Sequence, residues 1–145
     1  MKIKQKIYKN QTGMSLLEIM VSLSILVVTF ITLMQSFPMA LAINKTSENA
    51  TKASYLAQEK LEELNSLGYN GIAVGAIETK HRLSNTSTDY LYYFQRETMV
   101  DYVDSNLQNS VSDTGLKKIS VIIYYTNSFL KNEKTYSTVT LISQL

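Results

Sequence analysis

Five oxygen-bearing side chains, Asp101, Asp104, Asn106, Asn109 and Asp113, fall within thirteen residues and could together hold a hard cation such as calcium. Their spacing is not that of a calcium loop, which alternates ligands and breaks at a central glycine, so the reading is a solvated loop. Seven aromatic residues, Tyr90, Tyr92, Tyr93, Phe94, Tyr102, Tyr124 and Tyr125, could form a stacking platform for single-stranded DNA. Only Lys117 and Lys118 interleave them, so they are expected in the core and sheet packing, and DNA is an unlikely partner. No cysteine is present, which removes disulfides, CxxC zinc sites and a thiol nucleophile. His81 is the sole histidine. No nucleophile–base order, phosphate loop or pair of catalytic carboxylates occurs, so neither an enzyme nor a cofactor site is expected. Asn49 and Asn85 match a glycosylation pattern that is frequent by chance. The remaining chemically pointed residue is Glu18, a lone carboxylate at the edge of a long apolar run, with no basic residue after it until Lys45.

The elements that must position Glu18 are a basic leader and a helix. Lys2, Lys4, Lys6 and Lys9 lie in the first thirteen residues, which hold no acid. The rest of the chain carries ten basic against twelve acidic residues, too little positive charge for a nucleic-acid binder. From Ile19 to Asn44 there are 26 residues without a charge. About 20 helical residues cross the roughly 30 Å of bilayer hydrocarbon, so this run is long enough to span. It exceeds the apolar core of an ordinary secretory signal, although "MALA" at 39–42 imitates a cleavage site after Ala42. The lysines before the run place the N-terminus in the cytoplasm. A charge at the centre of a span costs roughly 2.5–3.5 kcal/mol and less near its ends. Glu18 therefore either keeps its carboxylate in the headgroups or meets a positive partner.

Gly13, then Met14, then Glu18 as the fifth residue after the glycine, then the apolar run, resembles the class III signal of the type IV prepilin superfamily. The matching residues are "GMSLLEIMVSLSILVV". The resemblance implies a prepilin peptidase that cuts between Gly13 and Met14 on the cytoplasmic side and methylates the new amine of Met14. Many pilins carry phenylalanine at that first position, where this chain has methionine. The new amine would be a counter-charge for Glu18, on the same chain or on a neighbour in the fibre. Glu18 would then set docking register. Further along, "YLAQEKLEELNSL", "YYFQRETMVDYV", "LKKISVIIYY" and "TVTLIS" look like the minor pilins of the pilus modification class and the I-type pseudopilins of type II secretion. The partners so implied are other pilins or pseudopilins, an inner-membrane assembly platform and membrane lipid.

The helical pattern continues beyond the span. Ala53, Leu56, Ala57, Leu61, Leu64 and Leu67 recur at steps of three and four, with Glu59, Lys60, Glu62 and Glu63 on other faces. One helix is expected from Ser15 to Leu67, capped by Gly68 and kinked at Pro38, whose ring removes a backbone donor and clashes with the preceding turn. A loop follows, with a short strand at 72–78, then strands at 90–103, 116–126 and 134–143. The short link between the last two makes them an antiparallel hairpin. The fold class is α+β: a long N-terminal helix on a small three- to four-stranded antiparallel sheet, pilin-like by the resemblance. The expected segments are a leader (1–13), a transmembrane or fibre-core helix (14–44) and an extracytoplasmic head (45–145). The function expected is a structural subunit that primes or caps a pilus or secretion pseudopilus. The rivals are a bitopic sensor with an uncleaved leader, a competence pseudopilin touching DNA, and a secreted protein beginning at Ile43.

Overall fold

A computed structural model describes residues 13–126 and 132–144. Helix α1 runs Leu16–Ser66, close to the span that periodicity gave it, and continues through Pro38. The chain divides between Ala40 and Leu41 into two units. In the first, every described residue is exposed. Four of its hydroxyls are satisfied within the helix. Ser24, Thr29, Thr32 and Ser36 each donate to the carbonyl four residues earlier, at 2.8, 2.8, 2.8 and 2.9 Å. Such back-bonding satisfies these four hydroxyls within an otherwise apolar helix.

The second unit is the remainder of α1 laid on an antiparallel sheet. The sheet order is β1 (Gly75–Arg82), β2 (Phe94–Val103), β4 (Leu116–Thr126), β5 (Glu133–Ser143), with a two-residue β3 (Asn109–Ser110) paired to β2. It has five strands where three or four were expected, because the loop before β4 folds back to add β3. The hairpin of β4 and β5 is in continuous register from Leu116↔Ser143 to Thr126↔Glu133. Its link lies outside the described residues from 127 to 131. The strand expected at 72–78 begins three residues later, at Gly75, whose φ of +113° opens the turn into β1. The stretch expected to be strand from 90 opens as a 3-10 turn over Tyr90–Tyr93, since the Asp89 side chain accepts from the Leu91 amide and tightens it.

The core lies between α1 and the sheet. Ala53, Leu56, Ala57 and Leu64 meet Phe94, Val100, Ile119, Val121 and Ile123, while Leu61 packs at the margin. Two sequence expectations fail here. Leu67 is 54% exposed, because α1 has ended and Gly68, at φ +67°, turns the chain away. Lys60 is 6% exposed and lies on the buried stripe with Ala53, Leu56, Ala57 and Leu64, not on a solvent face. Its Nζ stands 2.8 Å from Glu63 and 3.3 Å from Glu78. Glu78 on β1 also accepts two bonds from Arg96, at 2.8 and 2.9 Å, and one from Thr98 at 2.8 Å. Buried ions persist when each is paired and bonded in this way. A second buried lysine, Lys117 on β4, holds the turn after α1. Its Nζ donates to the carbonyls of Tyr69 at 2.7 Å and Ile72 at 2.8 Å, and it sits 4.2 Å from the Tyr69 ring centroid.

This packing separates two leucines that sequence alone treats alike. Leu64→Ala should cost about 2–5 kcal/mol, because a 3%-exposed side chain leaves a cavity against the sheet. Leu67→Ala should be close to neutral. Thermal melts followed by circular dichroism on the full chain in detergent check both. Equal shifts would mean that the buried face of α1 is misassigned.

Candidate functional site

The N-terminal end of α1 holds the residues that the sequence singled out. Gly13 and Met14 precede the helix, and Met14 is 72% exposed. Helical bonding starts with the Ile19 amide on the Ser15 carbonyl, 3.2 Å. Glu18 lies in the first turn and is exposed, with no ion pair among the described residues. An acid at this end is favoured by the helix dipole, whose positive pole lies at the N-terminus. Ser15 and Glu18 also have the S-x-x-E spacing of a capping box, a local signal that the reading of the sequence passed over. The four leader lysines lie outside the described residues.

Beyond Glu18 the helix presents apolar side chains on all sides. Its most apolar 18-residue window has mean hydropathy 2.4, and none of that window is buried. Leu16, Leu17, Leu23, Leu26, Val28 and Phe37 are each 60–76% exposed. An apolar surface of this extent does not persist in water, and it is long and apolar enough to cross a membrane.

Compared with known proteins, the chain matches no family model, no curated protein and no solved structure.

The second unit carries a groove of about 450 Å³ beside the end of the apolar run. Lys45, Asn49 and Lys52 of α1 form one wall, and Tyr90, Tyr93 and Phe94 the other. Tyr90 and Tyr93 are 55% and 60% exposed, so the aromatic cluster is only partly core. Phe94 and Tyr125 are buried, with ring centroids 6.2 Å apart. The lysines of the groove are not free charges. Glu48 takes Lys52 at 2.6 Å and Lys45 at 3.0 Å, and the bond from Lys52, then that from Lys45, holds its carboxyl down to about 2.

The oxygen-rich loop is used internally. Asp104 accepts from the Asn106 and Gln108 amides, both at 2.9 Å. Asp113 accepts from the Gly115 amide at 2.9 Å and from the Tyr69 hydroxyl. Burial, then the bond to Asp113, pushes the Tyr69 hydroxyl up to about 12. No cluster of three His, Asp or Glu side chains suited to a metal occurs among the described residues.

Proposed function

We propose that the chain is a minor pilin or pseudopilin, a structural subunit that primes or caps assembly of a pilus or secretion pseudopilus. The observation that carries this reading is the helix itself. It begins just after Gly13–Met14, has Glu18 as its one charge before Lys45, exposes a membrane-length apolar surface and continues onto an antiparallel sheet. On this reading prepilin peptidase removes residues 1–13 and methylates Met14. The N-terminus starts in the cytoplasm, the head stands outside the inner membrane, and Pro38 is where the helix can bend. Glu18 pairs with the amine of Met14, its own or a neighbour's, so that two charges costly in lipid are tolerated only in the register where they meet. Energy for assembly comes from other components of the machine, through the assembly platform.

Intact-mass measurement of the mature protein tests the processing. The expected mass lacks residues 1–13 and gains one methyl group, and replacing Gly13 with a bulky residue keeps the leader attached. A mature chain beginning at Ile43 would sink the reading.

The groove beside Lys45 favours a second reading, a membrane-anchored ligand-binding protein, since its volume is that of a small-molecule site. That protein keeps its leader, so the same mass separates the two.

A further inference from the structure

The groove of the second unit holds one polar side chain that the fold leaves unused. Asn49 is only 9% exposed and lines the groove. Among the described residues its amide enters no hydrogen bond, yet no side-chain polar atom there is sealed from solvent without a partner. Solvent therefore reaches the amide, and the groove is the opening that it lines. A nine-tenths buried amide that holds nothing in the fold keeps both a donor and an acceptor for a ligand.

The walls narrow the class of that ligand. Lys45 and Lys52 line the groove, whereas Glu48, the carboxylate that both grip, does not. Two ammonium groups against one carboxylate leave one positive charge, which disfavours a cation despite the tyrosine rings opposite. A wholly apolar ligand would strip water from the Asn49 amide and give it no partner. The exposed rings of Tyr90 and Tyr93 have negative faces. They suit the weakly positive C–H face of a pyranose, whose hydroxyls donate and accept as the amide does. One carboxylate on that sugar neutralises the remaining charge. A shallower depression of about 220 Å³ shares Lys52 and Tyr90 with the groove and is lined beyond them by Tyr55, Leu56 and Glu59. Glu59 disfavours a second acid there. A nucleic-acid strand, charged at every unit, fits this spacing poorly. An acidic sugar followed by a neutral one fits it.

We propose that the groove and this depression bind an acidic oligosaccharide, with the carboxylate-bearing sugar between Asn49 and Tyr93 and a neutral neighbour beside Tyr55. The groove, at about 450 Å³, is of small-molecule size. All of its lining residues belong to the second unit. The site therefore stands whether or not residues 1–13 are removed, and it goes beyond the assembly reading.

Ligand-observed NMR on the full chain, in micelles of a sugar-free detergent, tests this with a disaccharide of glucuronate and N-acetylglucosamine as probe. Saturation should pass to the C–H protons of one glucuronate face. The same disaccharide with glucose in place of glucuronate should bind roughly tenfold more weakly, and added salt should weaken the charged probe. Tyr93→Ala should weaken the probe roughly tenfold or more and leave the thermal melt unchanged, since that ring lies on the surface. Asn49→Leu should weaken it as much, and if that variant melts early Tyr93→Ala decides. No binding at millimolar probe, or binding that Tyr93→Ala leaves intact, overturns the site. Equal binding of the two disaccharides overturns the acidic class, and tighter binding of a thymidine dinucleotide overturns the saccharide. The intact mass that tests removal of residues 1–13 is independent of every one of these outcomes.

Discussion

Glu18→Gln should be trimmed and inserted like the parent and then be missing from the fibre. Glutamine keeps the size of the side chain, and the Ile19 amide still bonds the Ser15 carbonyl, so helix initiation survives. It is also easier to place in a membrane than a carboxylate. An interfacial acid is thus replaceable at little cost. A docking acid is not, because the amine that it meets loses its counter-charge. Removing one member of a buried pair costs roughly 3–5 kcal/mol, a hundredfold or more in a docking equilibrium. Sheared fibres separated from membranes and probed with an antibody to the head give the answer. Parental amounts of the variant in the fibre fraction would refute the pairing role and leave Glu18 as a first-turn headgroup residue.

The second large effect belongs to the charge cluster under α1. Glu78→Gln should destabilise the head by about 3–5 kcal/mol, since Lys60 and Arg96 then share a buried site without their common carboxylate. Replacing Lys60, Glu78 and Arg96 together by apolar residues of similar volume should recover most of that loss. Acid should do part of what the substitution does. Burial raises the Glu78 carboxyl, but the bonds from Arg96 and Thr98 and the charges of Arg96 and Lys60 outweigh it and hold the group at about 2, against an ordinary 4.5. Its folded value lies below its unfolded one. The stability that it contributes is therefore complete above about 4.5 and is lost as pH falls from there toward 2. The gap between the thermal melts of parent and variant should narrow as pH falls from about 4.5 toward 2. A Glu78→Gln protein that melts with the parent at neutral pH would show that the cluster does not hold α1 to the sheet.

Periodicity located α1, β4 and the β4–β5 hairpin, because each is long and regular enough for its pattern to outweigh local exceptions. It misplaced Lys60 because a charge was taken to mark a solvent face. The step from Ala53 through Leu56 to Leu64 in fact runs through position 60, and what makes a lysine tolerable there, Glu78 eighteen residues away, is a product of the fold. Leu67 was misread for the opposite reason: the spacing persisted one residue past the point where Gly68 stops the helix. Two-residue β3 has no pattern to detect. Tyr90 and Tyr93 looked like strand residues, and the turn set by Asp89 leaves them on the surface. At the N-terminal end, Gly13, Met14 and Glu18 are legible as a linear motif, whereas the groove joins α1 to a turn some forty residues later and cannot be seen before the chain is folded.

The strand order has a consequence for how the head is made. Each long strand pairs with the long strand nearest to it along the chain, and β3 sits inside the connection from β2 to β4. No pairing waits for a remote segment, so loops closed on the way are short and their entropic cost is small. A chain arriving from its N-terminal end lays down α1 first, then a hairpin of β1 and β2, then β4, then β5. Lys117, at the start of β4, reaches back to the Tyr69 and Ile72 carbonyls as soon as that strand is in place, fastening the end of α1 before the last strand is added. The head can thus be completed in the order in which its residues appear, and a chain without cysteines has no need of a covalent staple to keep a half-built sheet waiting.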